Sequence, residues 1–113
     1  MGIDHDGVTK MGSIFCATFA LKGDVDENEM LECVEKAYPY FRKAPGFISL
    51  NAVKLAEREY ALVEVHESRE THDKWASDYW LELANSDAFR KWSEMVEIRE
   101  RTRGVVIASS DSE

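Results

Sequence analysis

Between residues 13 and 21 the chain reads Ser-Ile-Phe-Cys-Ala-Thr-Phe-Ala-Leu and closes on Lys22, Gly23 and Asp24. A short, mostly apolar run ended by turn residues predicts a first strand buried on both faces. Asp26 with Glu29 three positions on has the form of a helix N-cap and its capping-box partner. Met30, Val34, Ala37, Tyr38 and Phe41 then recur at helical spacing. Pro39 removes one backbone donor from this helix and predicts a kinked or shortened last turn. Ala44, Pro45, Gly46 and Phe47 break the helix and open a strand over residues 47–55, which the polar turn at 56–59 joins to another over 60–67. Alternation groups Phe47, Ser49, Asn51 and Val53 on one face of the first, and Tyr60, Leu62, Glu64 and His66 on one face of the second.

Ser68 is placed to cap a long helical segment on which His72, Trp75, Ala76, Tyr79 and Leu83 share a face. Asn85, Ser86 and Asp87 interrupt it, and Ser86 caps a further helix carrying Phe89, Trp92, Val96 and Ile98. Arg99, Arg101 and Arg103 fall near the C-terminal end expected of that helix, where its dipole favours cations. Gly104 is read as its stop, residues 105–108 as a short last strand and 109–113 as a polar tail. Strand, helix, strand, strand, helices, strand is the split βαβ order of a ferredoxin-like α+β domain. The domain is expected over residues 13–109, with a flexible tail at 1–12 and a polar one at 110–113. Helices on one face only leave the other sheet face uncovered, so a homodimer is expected, with Val63 and Val65 in its seam.

With 113 residues the chain holds one domain, and 22 acidic against 14 basic residues give a net charge of −8. That balance disfavours phosphate backbones and anionic membrane surfaces. No apolar run approaches the length of a membrane span, the start lacks the basic residues of a signal peptide, and a cytoplasmic location follows. Gly2 lacks the Ser or Thr that a myristoylation motif wants at the position of Asp6, and Met11 offers an alternative start. Cys16 and Cys33 lack a C-x-x-C spacing and read as buried thiols. No phosphate loop, zinc-helix motif, nucleophile elbow or metal-spaced cluster is found, so no cofactor and no metal are expected. His5 between Asp4 and Asp6 is read as part of a solvated tail.

Ala44-Pro45-Gly46-Phe47, then Glu64-Val65-His66-Glu67-Ser68, then Ser86-Asp87-Ala88-Phe89 together resemble the antibiotic biosynthesis monooxygenase family, over roughly residues 13–96. The resemblance implies a dimeric α+β barrel and, in some members, oxidation of phenolic or quinol-type substrates by molecular oxygen without a bound cofactor. Such chemistry needs a base, and imidazole titrates near neutrality. His66 is the expected base, with Glu64, two residues before it on the same face, as its partner. Asn51 and Tyr60 are candidate donors to a substrate carbonyl, and both read equally well as polar residues at a strand rim. His72 and Trp75, three apart on a helix, suit a pocket edge or a packing face, and Trp80 suits a pocket cover or a core anchor. Two other functions stay open. One is a non-catalytic, small-molecule-binding or stress-related dimer. The other is a haem-binding or haem-degrading protein, although that branch uses an Asn on the first strand, a Trp near His66 and a His near Ser93.

Overall fold

The computed structural model describes residues 12–107. The two expected tails, with His5 and Met11, lie outside the described residues apart from Gly12, as does Ala108. The elements are β1 (Ser13–Leu21), α1 (Glu27–Arg42), β2 (Phe47–Ala56), β3 (Glu59–His66), α2 (Arg69–Ala84), α3 (Asp87–Met95) and β4 (Val96–Val105). The strands form one antiparallel sheet in the order β2-β3-β1-β4. This is the α+β, ferredoxin-like arrangement expected from the element order.

Odd-numbered residues of β1 face the helices. Phe19 and Leu21 pack against Met30 and Val34 of α1 and Trp92 of α3. A second buried cluster joins Phe41 and Ala44 to Trp75 and Leu83 of α2. Phe41 and Trp75 stack at 4.7 Å with planes 9° apart, so α1 and α2 meet through aromatic faces. Among the described residues no helix is long and apolar enough to cross a membrane.

The last helix and strand differ from expectation. Helix α3 stops at Met95, and Val96, Ile98, Arg99, Arg101 and Arg103 belong to β4 instead of a helix C-terminus. Val96 and Ile98 are two apart, a strand spacing, and they pair with Leu21 and Phe19 of β1. The Lys22 amide donates to the Met95 carbonyl at 2.8 Å and closes the helix end. Gly104 therefore lies inside the strand rather than at a helix stop.

Other positions depart from expectation on a smaller scale. Asp26 stands at the α1 N-cap without a side-chain cap hydrogen bond, while Glu27 is taken by Tyr60 and Lys54. Pro39 lies within α1, which continues to Arg42. Cys33 is buried, whereas Cys16 is only half-buried on the open sheet face. A register shift in β2 also divides the face predicted for it. Phe47 pairs with His66 on the helix side, but Ser49, Asn51 and Val53 pair with Val65, Val63 and Ala61 on the open side.

Gly46 sets where α2 begins. Its φ is +89°, and a Cβ there would lie 2.6 Å from Cβ of Thr71. The Gly46 carbonyl accepts from the Glu67 amide at 2.6 Å, so the turn before β2 and the start of α2 are in backbone contact. Gly46→Ala adds left-handed strain to a steric clash and is expected to lower stability by about 2 to 5 kcal/mol. Gly23 also has a positive φ, but a Cβ added there would meet nothing within 4 Å, and Gly23→Ala should cost about 1 to 2 kcal/mol. Urea unfolding of the two variants checks the difference, and equal losses would contradict a close approach at Gly46.

Candidate active site

Strand β3 carries Leu62, Glu64 and His66 toward the helices, and the antiparallel register sets Glu64 between Leu50 of β2 and Phe15 of β1. Helix α2 supplies His72. Its first turn is held by Ser68, which accepts from the Thr71 amide at 3.1 Å while its own amide donates to Thr71 Oγ1 at 3.1 Å. That capping box and the Gly46 contact fix His72 one residue further on. His66 is fully buried, and Glu64 and His72 are buried at 7% and 5% exposure.

The three side chains form one polar group in an aromatic surround. His66 Nε2 hydrogen-bonds Glu64 Oε2 at 2.6 Å, and His72 Nε2 lies 3.2 Å from the same oxygen. The two imidazoles stack with centroids 4.1 Å apart and planes at 16°. Ser13 Oγ is 2.8 Å from His72 Nδ1. These contacts are satisfied together when both imidazoles are neutral with the proton on Nε2 and Ser13 donates to Nδ1. In that arrangement His66 Nδ1, which has no hydrogen-bond partner among the described residues, carries a lone pair and not an orphaned N–H.

A cavity of about 780 Å³ opens between sheet and helices, lined by Glu64, His72, Trp75, Trp80, Phe89 and Arg101 among others. His66 does not line it and sits behind Glu64. Glu64 Oε2 is occupied by the imidazoles, but Oε1 makes no hydrogen bond among the described residues. Ser13 is fully buried and off the cavity wall, so the Ser13, His72, Glu64 chain has no exposed nucleophile.

Of the residues singled out in the sequence, the structure brings together Glu64, His66, His72 and Trp75, with Trp80 packed on Trp75 at 6.3 Å and on Phe89 at 5.2 Å. It does not bring in Tyr60 or Asn51. The Tyr60 hydroxyl donates to Glu27 at 2.5 Å, and burial raises the pKa of this phenol above its ordinary value, the Glu27 bond adding to it. Asn51 lies exposed on the opposite sheet face, donating to Ser49 at 3.2 Å. Sequence reasoning missed Ser13 as a partner of His72 and the inward arginines of β4. Plain alternation from Val96 and Ile98 points those arginines outward, and the register shift at Arg99 brings Arg101 and Arg103 to the inner side.

Glu64, His66 and His72 each offer a ligand-type atom within 4.8 Å of the others, a grouping no sequence spacing revealed. Nearly parallel stacked rings aim their in-plane lone pairs within separate planes and not at one point, so a single ion does not fit without a ring turning. The grouping as it stands is a proton-sharing one. Burial, which outweighs the nearby Glu64 carboxylate, holds the His72 pKa below its ordinary 6.5. The Arg103 guanidinium is an ion-pair partner of Asp73 and keeps that carboxyl below its usual range.

No protein-family model and no curated protein sequence matches the chain. Solved structures do. SnoaB, a cofactor-independent oxygenase from Streptomyces nogalater, superposes with a TM-score of 0.68 at 14% identity, covering 90% of this chain and 99% of that one. A candidate antibiotic biosynthesis monooxygenase from Chloroflexus aurantiacus gives 0.64 at 13% identity over 88% and 96%. A dimeric ferredoxin-like protein from an uncultured marine organism gives 0.65 at 17% identity over 96% and 99%. The fold is thus a ferredoxin-like domain, shared with structures that include antibiotic biosynthesis monooxygenases. At these identities the likeness extends to fold and not to substrate.

A histidine whose pKa is lowered on folding binds fewer protons folded than unfolded, so stability rises with pH through that range. Stability is therefore expected to fall as pH drops below about 6.5, the ordinary value for His72. His72→Gln should flatten that part of a plot of Tm against pH. An unchanged slope would remove His72 from the acid response.

Proposed function

We propose that the protein is a cofactor-independent monooxygenase of a small aromatic or quinol-like molecule, with Glu64 as the base. The observation that carries this reading is a buried carboxylate with one oxygen held by imidazole and the other unbonded on the wall of an apolar cavity. The fold shared with SnoaB supports it.

Charge balance favours Glu64 over a histidine as the first acceptor. Moving a proton from a neutral phenol or acidic carbon to an ionised carboxylate relocates one negative charge, whereas moving it to neutral imidazole creates two charges in an apolar site. His66 donates to the carboxylate, and His72 packs 3.2 Å from the same oxygen, so both position it. His66 is therefore a positioning residue, and His72 is both a positioning residue and part of the cavity wall. In the oxygen step the substrate anion passes one electron to O₂, the resulting radical pair combines as a peroxide anion, and the proton held by Glu64 returns to it to give a hydroperoxide. Loss of water from a carbon that bore two hydrogens leaves a carbonyl, so CH₂ plus O₂ becomes C=O plus H₂O with all electrons drawn from the substrate. Trp75, Trp80 and Phe89 keep bulk water from the intermediate.

The same reading includes a homodimer. Ile14, Cys16, Val63 and Val65 lie half-buried on the sheet face opposite the helices, and the marine structural relative is described as dimeric. Light scattering is expected to report twice the 12.9 kDa chain mass, and Val63→Arg should yield the monomer. A wild-type monomer at micromolar concentration would contradict this.

Oxygen uptake with a quinol or anthrone tests the base. Glu64→Gln keeps the shape and a hydrogen-bonding oxygen but does not accept the proton, and turnover should fall by about 10² to 10⁴ with binding retained. His66→Gln should fall less, since it touches the base and not the substrate. Wild-type turnover in Glu64→Gln, or no oxidation of any bound quinol or anthrone by the parent, would overturn the assignment.

A further inference from the structure

We infer that the substrate carries a carboxylate and that Arg101 binds it, a statement that rests on the proposed use of the cavity and adds a second anchor to it. Helix-facing positions of a strand beneath a core are ordinarily apolar, yet β4 turns Arg101 and Arg103 to that side, opposite Ala17 and Phe15. Arg103 has an evident structural role in its ion pair with Asp73 of α2. Arg99 lies at the register shift, 3.8 Å from Glu97. Arg101 alone of the three has no ion pair among the described residues, and it lines the cavity.

Its place relative to Glu64 defines what it can hold. Across the sheet, Glu64, Phe15 and Arg103 form one row, and Leu62, Ala17 and Arg101 the next. Two strand spacings and one inner-face step separate the backbones of Glu64 and Arg101 by roughly 12 Å. Side chains reaching inward from both ends leave the length of one or two fused rings. An aromatic molecule with an acidic hydroxyl or methylene at one end and a carboxylate at the other spans that gap, its rings against Phe15, Trp75 and Phe89.

A chain with a net charge of −8 repels anions at long range, so selection for a carboxylate has to come from a local cation. A guanidinium is suited to it, because its planar fork matches two carboxylate oxygens. The same cation stabilises the negative charge that proton transfer to Glu64 leaves on the substrate.

Quenching of the cavity tryptophans, measured without oxygen, reads binding independently of turnover. The probes are a dihydroxynaphthoate and the matching naphthalenediol. Wild type should bind the naphthoate at least about tenfold more tightly, Arg101→Gln should bring the two within about twofold, and Arg101→Lys should keep part of the preference. Circular dichroism confirms that the exposed substitution leaves the fold intact. Equal binding of the two probes by wild type, an undiminished preference in Arg101→Gln, or no binding of either would overturn the inference. Failure of oxygen uptake with the preference present would count against the oxygenase reading alone, and uptake without the preference against Arg101 alone.

Discussion

A carboxylate buried in an aromatic interior has to be compensated, and the placement of Glu64 depends on how this chain does so. The compensation comes from two neighbouring imidazoles, one on its own strand and one on the helix that follows. His66 is placed by the two-residue period of β3, which needs nothing beyond the strand. His72 is placed by the start of α2, which in turn depends on Gly46 accepting the close approach of Thr71. A residue remote from any chemistry thus holds the second imidazole over the carboxylate. Taking away His66 leaves a desolvated charge short of its donor, which is costlier than losing an exposed contact.

The cavity follows from the same arrangement. Helix α2 meets α1 through Trp75, stacked on Phe41, and the sheet through the contact of Trp75 with His66, while Trp80 leans on Phe89 of α3. The volume left between them is walled largely by rings, and its acidic, imidazole and guanidinium groups stand at two places, Glu64 with His72 and Arg101 with Arg103. Such a site binds flat apolar molecules through its walls and orients them through few polar contacts. With the proton acceptor and the cation on different strands, a bound ring system has a defined direction.

The early part of the fold was legible because each element had a local signal. Residues 13–21 formed an apolar run of strand length, Ser68 and Ser86 stood where helices needed caps, and Ala44, Pro45 and Gly46 marked a break. The late part misled because Trp92, Val96 and the arginines admit a helical reading. What decides against it is non-local, the pairing of Val96 and Ile98 with β1, where the backbone groups of residues 96–105 find their partners. Arg101 and Arg103 then pass from a helix end to the inner face of a sheet, which changes their meaning from dipole stabilisers to cavity residues. In the site, Glu64 and His66 were legible as neighbours on one strand face. Their depth was not, since burial of His66 depends on α2 folding back over it. Asn51 was assigned with Phe47 by simple alternation, and the register shift in β2, invisible in the residue pattern, sent it to the other face.

The central claim is that Glu64 receives the proton of the bound substrate, and infrared difference spectroscopy of the oxygen-free quinol complex reads this directly. Binding is predicted to produce the carbonyl stretch of a protonated carboxyl group, shifted in D₂O and missing in Glu64→Gln. A wild-type complex in which the substrate becomes an anion with no such band, or in which the band survives in Glu64→Gln, would contradict it.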